Sequence, residues 1–366
     1  MHPQDAPAGA QVRARPADLA IVGGGVAGLS LARAAARAGR AVTLLERTEG
    51  GGDPATGRAS ALPAALLNPW RGRKGAAHPD DREGLATVRR WADELAAEGL
   101  DPGATLSGLL RVPDQDRQAR AWRERAEAEE DASLAWWPPA EIPAPYHAPH
   151  GALWVADGGW LRPALWLEAL EASARAQGTN VRFGAEVATL ERTGAGPWRV
   201  RGPDGAELCA AATVAVAAGA DALPAARVDG TAVPWPDWTR TRGDVVTLAG
   251  GPAFPWPLAG GTYGVSDGAH AWIGGGHRPP DAPPIDEPER LRDAFAWAVP
   301  GLERAPVVSI WSAVRAKRPD ARPEVGEVAP GLWTFGAFAG RGFLCAAHEA
   351  ERWVRTWCGD RPPMRR

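Results

Sequence analysis

Hydrophobic positions near the start of the chain form short unbroken runs, not alternations. Asp18-Leu-Ala-Ile-Val22 and Ala41-Val-Thr-Leu-Leu45 have the pattern of parallel strands buried on both faces. Between them lies an Ala-rich segment, Leu29 to Ala38, whose apolar positions recur at helical spacing and which Gly39 closes at the C-cap. Charged residues on a helical period predict further helices over Asp80 to Glu98 and Asp114 to Ala132, separated by a turn from a Pro-rich passage, Trp136 to Pro149. Regular structure resumes at Gly151, with a strand and turn over Trp154 to Trp160 and Asp157-Gly-Gly159 as the turn signal. Pro163 opens a helix to about Ala176, ahead of Gly178. Short strands follow near Val181–Phe183, Glu186–Glu191 and Trp198–Arg201, with a hairpin turn at Pro203-Asp-Gly205 and a buried strand at Thr213–Gly219. Near the C-terminus an apolar helix spans Phe343 to Trp357.

A length of 366 residues suits two domains at about 150 residues each. With 45% hydrophobic and 23% charged residues, the chain can bury a core and is not a disordered polymer. The net charge of -3 disfavours a broad nucleic-acid-gripping face. Cys209, Cys345 and Cys358 show neither zinc spacing nor C-x-x-C, which excludes a disulfide scaffold or structural metal and suits a reducing, cytoplasmic setting. The longest apolar stretch, Leu208 to Ala218, is too short to cross a bilayer. Residues 1–17 have no apolar core of a signal peptide and are expected to be a disordered arm. No histidine has a metal-ligand partner at helical spacing, so no metal is expected.

The chemistry is concentrated between the first two strands. Gly23-Gly-Gly-Val-Ala-Gly28 follows a strand, precedes a helix and leads to Glu46 at the tip of the next strand. Gly23 allows the tight turn, Gly25 lets backbone approach a pyrophosphate, and Gly28 lets helix and strand pack closely. The helix start offers free N–H groups and a positive dipole end to phosphate. Glu46 can accept from a ribose diol and would repel a 2′-phosphate, which argues against NADP. No second fingerprint precedes a helix in mid-chain, so a separate nicotinamide domain is not expected.

Together with the fingerprint, Gly159-Trp-Leu-Arg-Pro163, Ala217-Ala-Gly219, Ala313-Val-Arg-Ala-Lys-Arg-Pro-Asp320 and Thr334-Phe-Gly-Ala-Phe-Ala-Gly-Arg-Gly-Phe-Leu344 resemble the D-amino acid oxidase family of flavoproteins. The likeness runs from Asp18 to Trp357 and is nearest to its glycine oxidase and tRNA-modifying branches. It implies an α/β fold: a Rossmann-like FAD-binding domain of the GR2 type with an interleaved, mostly antiparallel α+β substrate domain. The FAD-binding domain is expected over residues 18–90, 151–225 and 305–358. The substrate domain is expected over 91–150 and 226–304, with a tail at 359–366.

By that resemblance Gly23, Gly25, Gly28 and Glu46 hold the ADP half of a non-covalent FAD. Arg47, Arg58 and Ser60 run past ribose and pyrophosphate, Val187 offers strand backbone to adenine, and Gly219 lies near the pyrophosphate. Gly340, Gly342 and Phe343 start a helix aimed at the flavin, where a helix N-terminus would stabilise developing negative charge. Arg315 is expected to fork onto a substrate carboxylate, or else to pair with Asp320 or Glu324. Tyr263 assists the carboxylate or is a core tyrosine, and Arg341 is a second anion contact. The activity implied is oxidation of the C–N bond of an amino acid or secondary amine, with dioxygen or another electron acceptor. Two alternatives stay open: an oxidase for carboxymethylaminomethyl-uridine in tRNA, and a non-catalytic FAD-binding protein.

Overall fold

The structure is a computed structural model that describes residues 16–49, 58–72, 75–129, 133–220 and 223–359. The expected arm and tail lie outside these residues, except that Ala17 already begins the first strand and Gly359 ends the last helix. Six helices have at least eight residues: α1 (Val26–Arg37), α2 (Pro79–Ala97), α3 (Asp116–Ala128), α4 (Pro163–Ala176), α5 (Glu289–Ala296) and α6 (Gly342–Gly359).

The first sheet has ten strands. Its parallel core places Ala17–Val22 between Val42–Leu45 and Glu207–Val216, with Ile21 opposite both Leu44 and Ala215. Asn180–Arg182 adds a parallel edge beyond Val42–Leu45, and Leu332–Gly336 pairs parallel with the end of Glu207–Val216. The first half of Glu207–Val216 joins an antiparallel meander with Trp198–Arg201 and Thr189–Arg192. Period-two alternation explains the layering. Leu19, Ile21 and Leu44 face the helices α1, α4 and α6, while Ala20, Val22 and Leu45 face the meander and Trp198. Leu19, Ile21 and Leu44 are fully buried, and each contributes about 1.5–3 kcal/mol relative to exposure.

The second sheet has eight strands, in the order Val307–Lys317, Thr239–Ala249, His270–Arg278, Tyr263–Ser266, Leu258–Ala259, Leu109–Arg111, Ala152–Val155 and Leu134–Trp137. Only the pairing of Leu258–Ala259 with Leu109–Arg111 is parallel. On one face Val246, Leu248 and Ile273 pack against Phe295 of α5. The opposite face, carrying Val245, Trp311 and Ala313, is turned toward the first sheet.

Sheet membership does not follow the expected segments one for one. The Val307–Lys317 strand, assigned with 305–358 to the FAD-binding domain, is the edge strand of the antiparallel sheet through its pairing with Thr239–Ala249. Ala152–Val155 also belongs there, whereas Ala225–Val228 and Thr231–Ala232 extend the first sheet. The helix cut at residue 90 is continuous to Ala97 and packs on α6.

Candidate active site

A cavity of about 1040 Å³ lies between the two sheets, above the roughly 300–1,000 Å³ of a pocket for one drug-sized ligand. The ends of Ala17–Val22, Val42–Leu45, Glu207–Val216 and Leu332–Gly336 all open onto it, the position at which open α/β sheets bind ligands.

At this end the glycines are required by contact. Gly23 has φ +111°, and a Cβ there would stand 2.5 Å from the Ala217 carbonyl oxygen. A Cβ on Gly28 would lie 1.9 Å from the Gly23 carbonyl oxygen. Gly25 caps α1 without a side-chain hydrogen bond, and the first turn holds no acidic residue. The helix therefore presents to the cavity a positive end that no residue of its own first turn neutralises. Ser60 stands beside it, its hydroxyl accepting from the Val26 N–H at 3.1 Å.

Glu46 is buried and ionised. Burial alone would raise its pKa, but Arg58 and the hydrogen bonds from Gly24 and Thr48 hold it below the usual carboxylate range. The Gly24 N–H donates to Oε2 at 2.5 Å, and the Thr48 N–H and hydroxyl donate to Oε1 at 3.0 and 2.9 Å. Arg58 also donates to the Gly24 carbonyl at 2.7 Å, so the carboxylate, loop and arginine form one unit. Arg47 and Gly219 line the same end. Val187 lines it too, although the strand expected over Glu186–Glu191 begins only at Thr189. The extended segment is pinned on either side of Val187, by Ala185 N–H to the Glu46 carbonyl and Ala188 N–H to the Arg201 carbonyl.

The antiparallel sheet supplies the opposite wall. Trp311, Ala313 and Arg315 project from one face by strand alternation, and all three line the cavity. Arg315 lies across two residues without side chains: a Cβ on Gly243 would meet its Nη2 at 2.6 Å, and one on Gly340 its Nη1 at 3.3 Å. Its Nη2 donates to the Gly276 carbonyl at 3.1 Å, while Nε is buried with no partner. Among the described residues Arg315 makes no ion pair. Asp320 and Glu324, the acids that could have made it structural, pair instead with Arg318. Burial lowers the Arg315 pKa, opposed by Tyr263 and Asp244. Asp244 itself is held by Arg278 through both carboxylate oxygens.

Tyr263 is brought beside this arginine, its ring lying over Gly274, where a Cβ would sit 2.3 Å away. Its hydroxyl donates to the Ala64 carbonyl at 3.1 Å, which leaves only its acceptor lone pairs for a ligand. Burial pushes its pKa up. Trp311 adds a buried indole N–H with no partner.

Gly340, Gly342 and Phe343 line the cavity at the start of α6, so the N-terminal end of that helix faces it. Arg341 lines the cavity as well, and its Nε is buried with no partner among the described residues. Its Nη1 pairs with Asp81 at 2.7 Å and its Nη2 donates to the Ala321 carbonyl, so its charge is committed inside the protein. Asp81 also receives Arg71 at 2.5 and 2.8 Å, and the Cys345 thiol lies 3.3 Å away. Burial favours the neutral acid, but Arg341 and Arg71 hold its carboxyl below the usual range.

A glycine cradle at a helix N-terminus, an ionised acid at the next strand end and a cavity of about 1040 Å³ together fit a dinucleotide. The unpartnered donors of Arg315 and Trp311 lie farther along, on the wall facing it. Among the described residues no cluster of His, Cys, Asp or Glu could hold a metal ion, and no helix is long and apolar enough to cross a membrane. Sequence reasoning missed Gly243, Asp81, Trp311 and Arg111. The alternation Trp311-x-Ala313-x-Arg315 was the available signal for one of them.

Residues 18–356 match the family described as FAD dependent oxidoreductase. A tRNA 5-methylaminomethyl-2-thiouridine biosynthesis bifunctional protein MnmC of Paracidovorax citrulli is 32% identical over 97% of this chain and 59% of its own length. The corresponding protein of Cupriavidus necator is 28% identical over 94% of this chain and 58% of its length. The chain thus spans somewhat over half of these curated relatives. Among solved structures, glycine oxidase from Geobacillus kaustophilus superimposes with a TM-score of 0.75 at 21% identity, covering 93% of this chain and 94% of that one.

Proposed function

The chain belongs to the FAD dependent oxidoreductase family, and we propose that it oxidises the C–N bond of an amino acid or secondary amine that carries a carboxylate. The observation that carries this reading is Arg315: a half-buried guanidinium in the cavity wall that makes no ion pair among the described residues. FAD supplies the two-electron acceptor for the hydride leaving the carbon next to nitrogen. The residues of this chain bind and orient. Gly23, Gly25 and Gly28, with the N-terminus of α1, would hold the pyrophosphate, and Glu46 the ribose. Arg58 and Ser60 brace that end. The N-terminus of α6 favours negative charge in the group it faces. Arg315 would take the carboxylate, leaving the uncharged amine free to release electron density as hydride departs. The imine so formed adds water and separates into a carbonyl compound and an amine, and dioxygen or another acceptor takes up the electrons.

The test is product analysis on N-carboxymethyl amines, in which wild type releases glyoxylate and Arg315→Met and Arg315→Lys release at least about tenfold less at equal substrate. Equal glyoxylate from the variants would remove Arg315 from the site.

A second reading is supported by the relatives named for tRNA modification and by Arg240. This residue is exposed on the cavity rim, and it makes no ion pair among the described residues. Here the amine would be borne on tRNA. Binding of modified tRNA that weakens steeply with salt supports it, and binding indifferent to salt contradicts it.

A further inference from the structure

Arg111, the last residue of the Leu109–Arg111 strand, is a buried cation that makes no ion pair among the described residues. It is 5% exposed and lines the cavity. Its Nη2 donates to the Gly72 carbonyl at 2.9 Å, and its guanidinium carbon lies 4.2 Å from the centre of the Trp122 ring. These contacts fix its position, and Nε and Nη1 are buried with no hydrogen-bond partner among the described residues. Asp81, the acid of the neighbouring arginine network, is shared between Arg71 and Arg341. Burial, and then the proximity of Arg71, push the pKa of Arg111 down to about 10, so it remains charged near neutral pH. A buried charge with unfilled donors is costly unless something completes it.

The sheet register locates Arg111 relative to Arg315. Arg111 pairs with Ala259, Ala259 with Tyr263, Tyr263 with Gly274, Gly274 with Val245 and Val245 with Trp311 of the Arg315 strand. Five spacings of about 4.8 Å, on the order of 24 Å along the sheet, separate the two strands. Directly paired residues share a face, so Arg111 and Arg315 stand on strands five places apart on the cavity side of one sheet.

We propose that Arg111, backed by Arg71, is a second anion subsite, and that the substrate is an amine longer than a simple amino acid with a second acidic group, carboxylate or phosphate, at its far end. This inference rests on the assignment of Arg315 to the first carboxylate. The far acid lies against the part of Arg111 that lines the cavity, and its charge offsets the excess of guanidinium groups over carboxylate at that end.

The test is equilibrium binding to the FAD-loaded protein, read from perturbation of the visible spectrum and requiring no turnover. A homologous series of α,ω-dicarboxylates is compared with monocarboxylates of the same carbon count. One range of chain length should bind roughly 10- to 100-fold more tightly than its monocarboxylate, and Arg111→Leu should abolish that ratio. A wild-type series with no preference at any length overturns the proposal whether or not the variant folds, as does a preference that survives in Arg111→Leu. Thermal melts with inorganic phosphate separate a free ion from a tethered acid. Stabilisation by phosphate through Arg111 alongside a flat dicarboxylate series overturns the doubly acidic substrate. If the series peaks but no amine reduces the flavin, the oxidation reading fails and the subsite stands; amine turnover with a flat series is the reverse.

Discussion

Replacing Gly243 by alanine should separate folding from substrate binding. The new Cβ would stand 2.6 Å from Arg315 Nη2 and 2.9 Å from its Cζ, whereas ordinary contact begins at 3.4 Å. The guanidinium must therefore retreat by about 0.8 Å, the difference between 3.4 and 2.6 Å. Its mobile end can yield, and Gly243 is not among the positive-φ glycines. The backbone accepts alanine, and a strand glycine replaced by alanine gains up to about 0.5–1 kcal/mol. A shift of about 1 Å in a positioning group can cost on the order of 100-fold. Gly243→Ala should therefore melt at or above the wild-type temperature while binding carboxylates roughly 10- to 100-fold more weakly. Thermal melts and spectral titration of the FAD-loaded protein measure both quantities. Gly264→Ala is the contrast, because its Cβ would meet the buried Phe295 ring at 2.2 Å and should cost stability. Wild-type carboxylate affinity in a normally stable Gly243→Ala protein would refute the role given to Arg315.

Gly28→Ala places a Cβ 1.9 Å from a backbone oxygen, so the loop must open and the purified protein should lose its visible flavin absorbance. Glu46→Gln tests the ionised acid. Because the folded pKa lies below the ordinary glutamate value of 4.5, the stabilisation from ionised Glu46 is complete above that value and is lost as pH falls through the folded pKa. The difference in melting temperature between wild type and Glu46→Gln should be constant at neutral pH and shrink in acid; a difference independent of pH would contradict this. Asp81→Asn leaves Arg71 and Arg341 without their shared carboxylate and should cost roughly 3–5 kcal/mol, read from the urea midpoint.

The parts of the molecule that were legible from sequence are those determined locally. The strand, glycine turn and helix from Asp18 to Arg37 lie within one contiguous stretch, and α4 occupies Pro163–Ala176 because Pro163 starts it and Gly178 follows its end. The long strands Thr239–Ala249 and Val307–Lys317 are held by pairing across some seventy residues, with no hairpin turn to announce it. Arg341 shows the same limit. Its partner Asp81 lies 260 positions away, and no local pattern couples them. Arg315 was identified from its motif, and its availability rests on a neighbour: Arg318 takes the two acids that could have neutralised it.

The central claim is that FAD in this cavity accepts a hydride from a carboxylate-bearing amine held at Arg315. The most direct measurement is the visible spectrum of the FAD-loaded protein, mixed without oxygen with glycine, sarcosine, longer N-carboxymethyl amines and carboxymethylaminomethyl-uridine tRNA. Loss of the oxidised flavin bands with at least one of these, and its slowing in Arg315→Met, is the predicted result. A flavin that stays oxidised with every amine would contradict the account and favour a protein that binds FAD without using it.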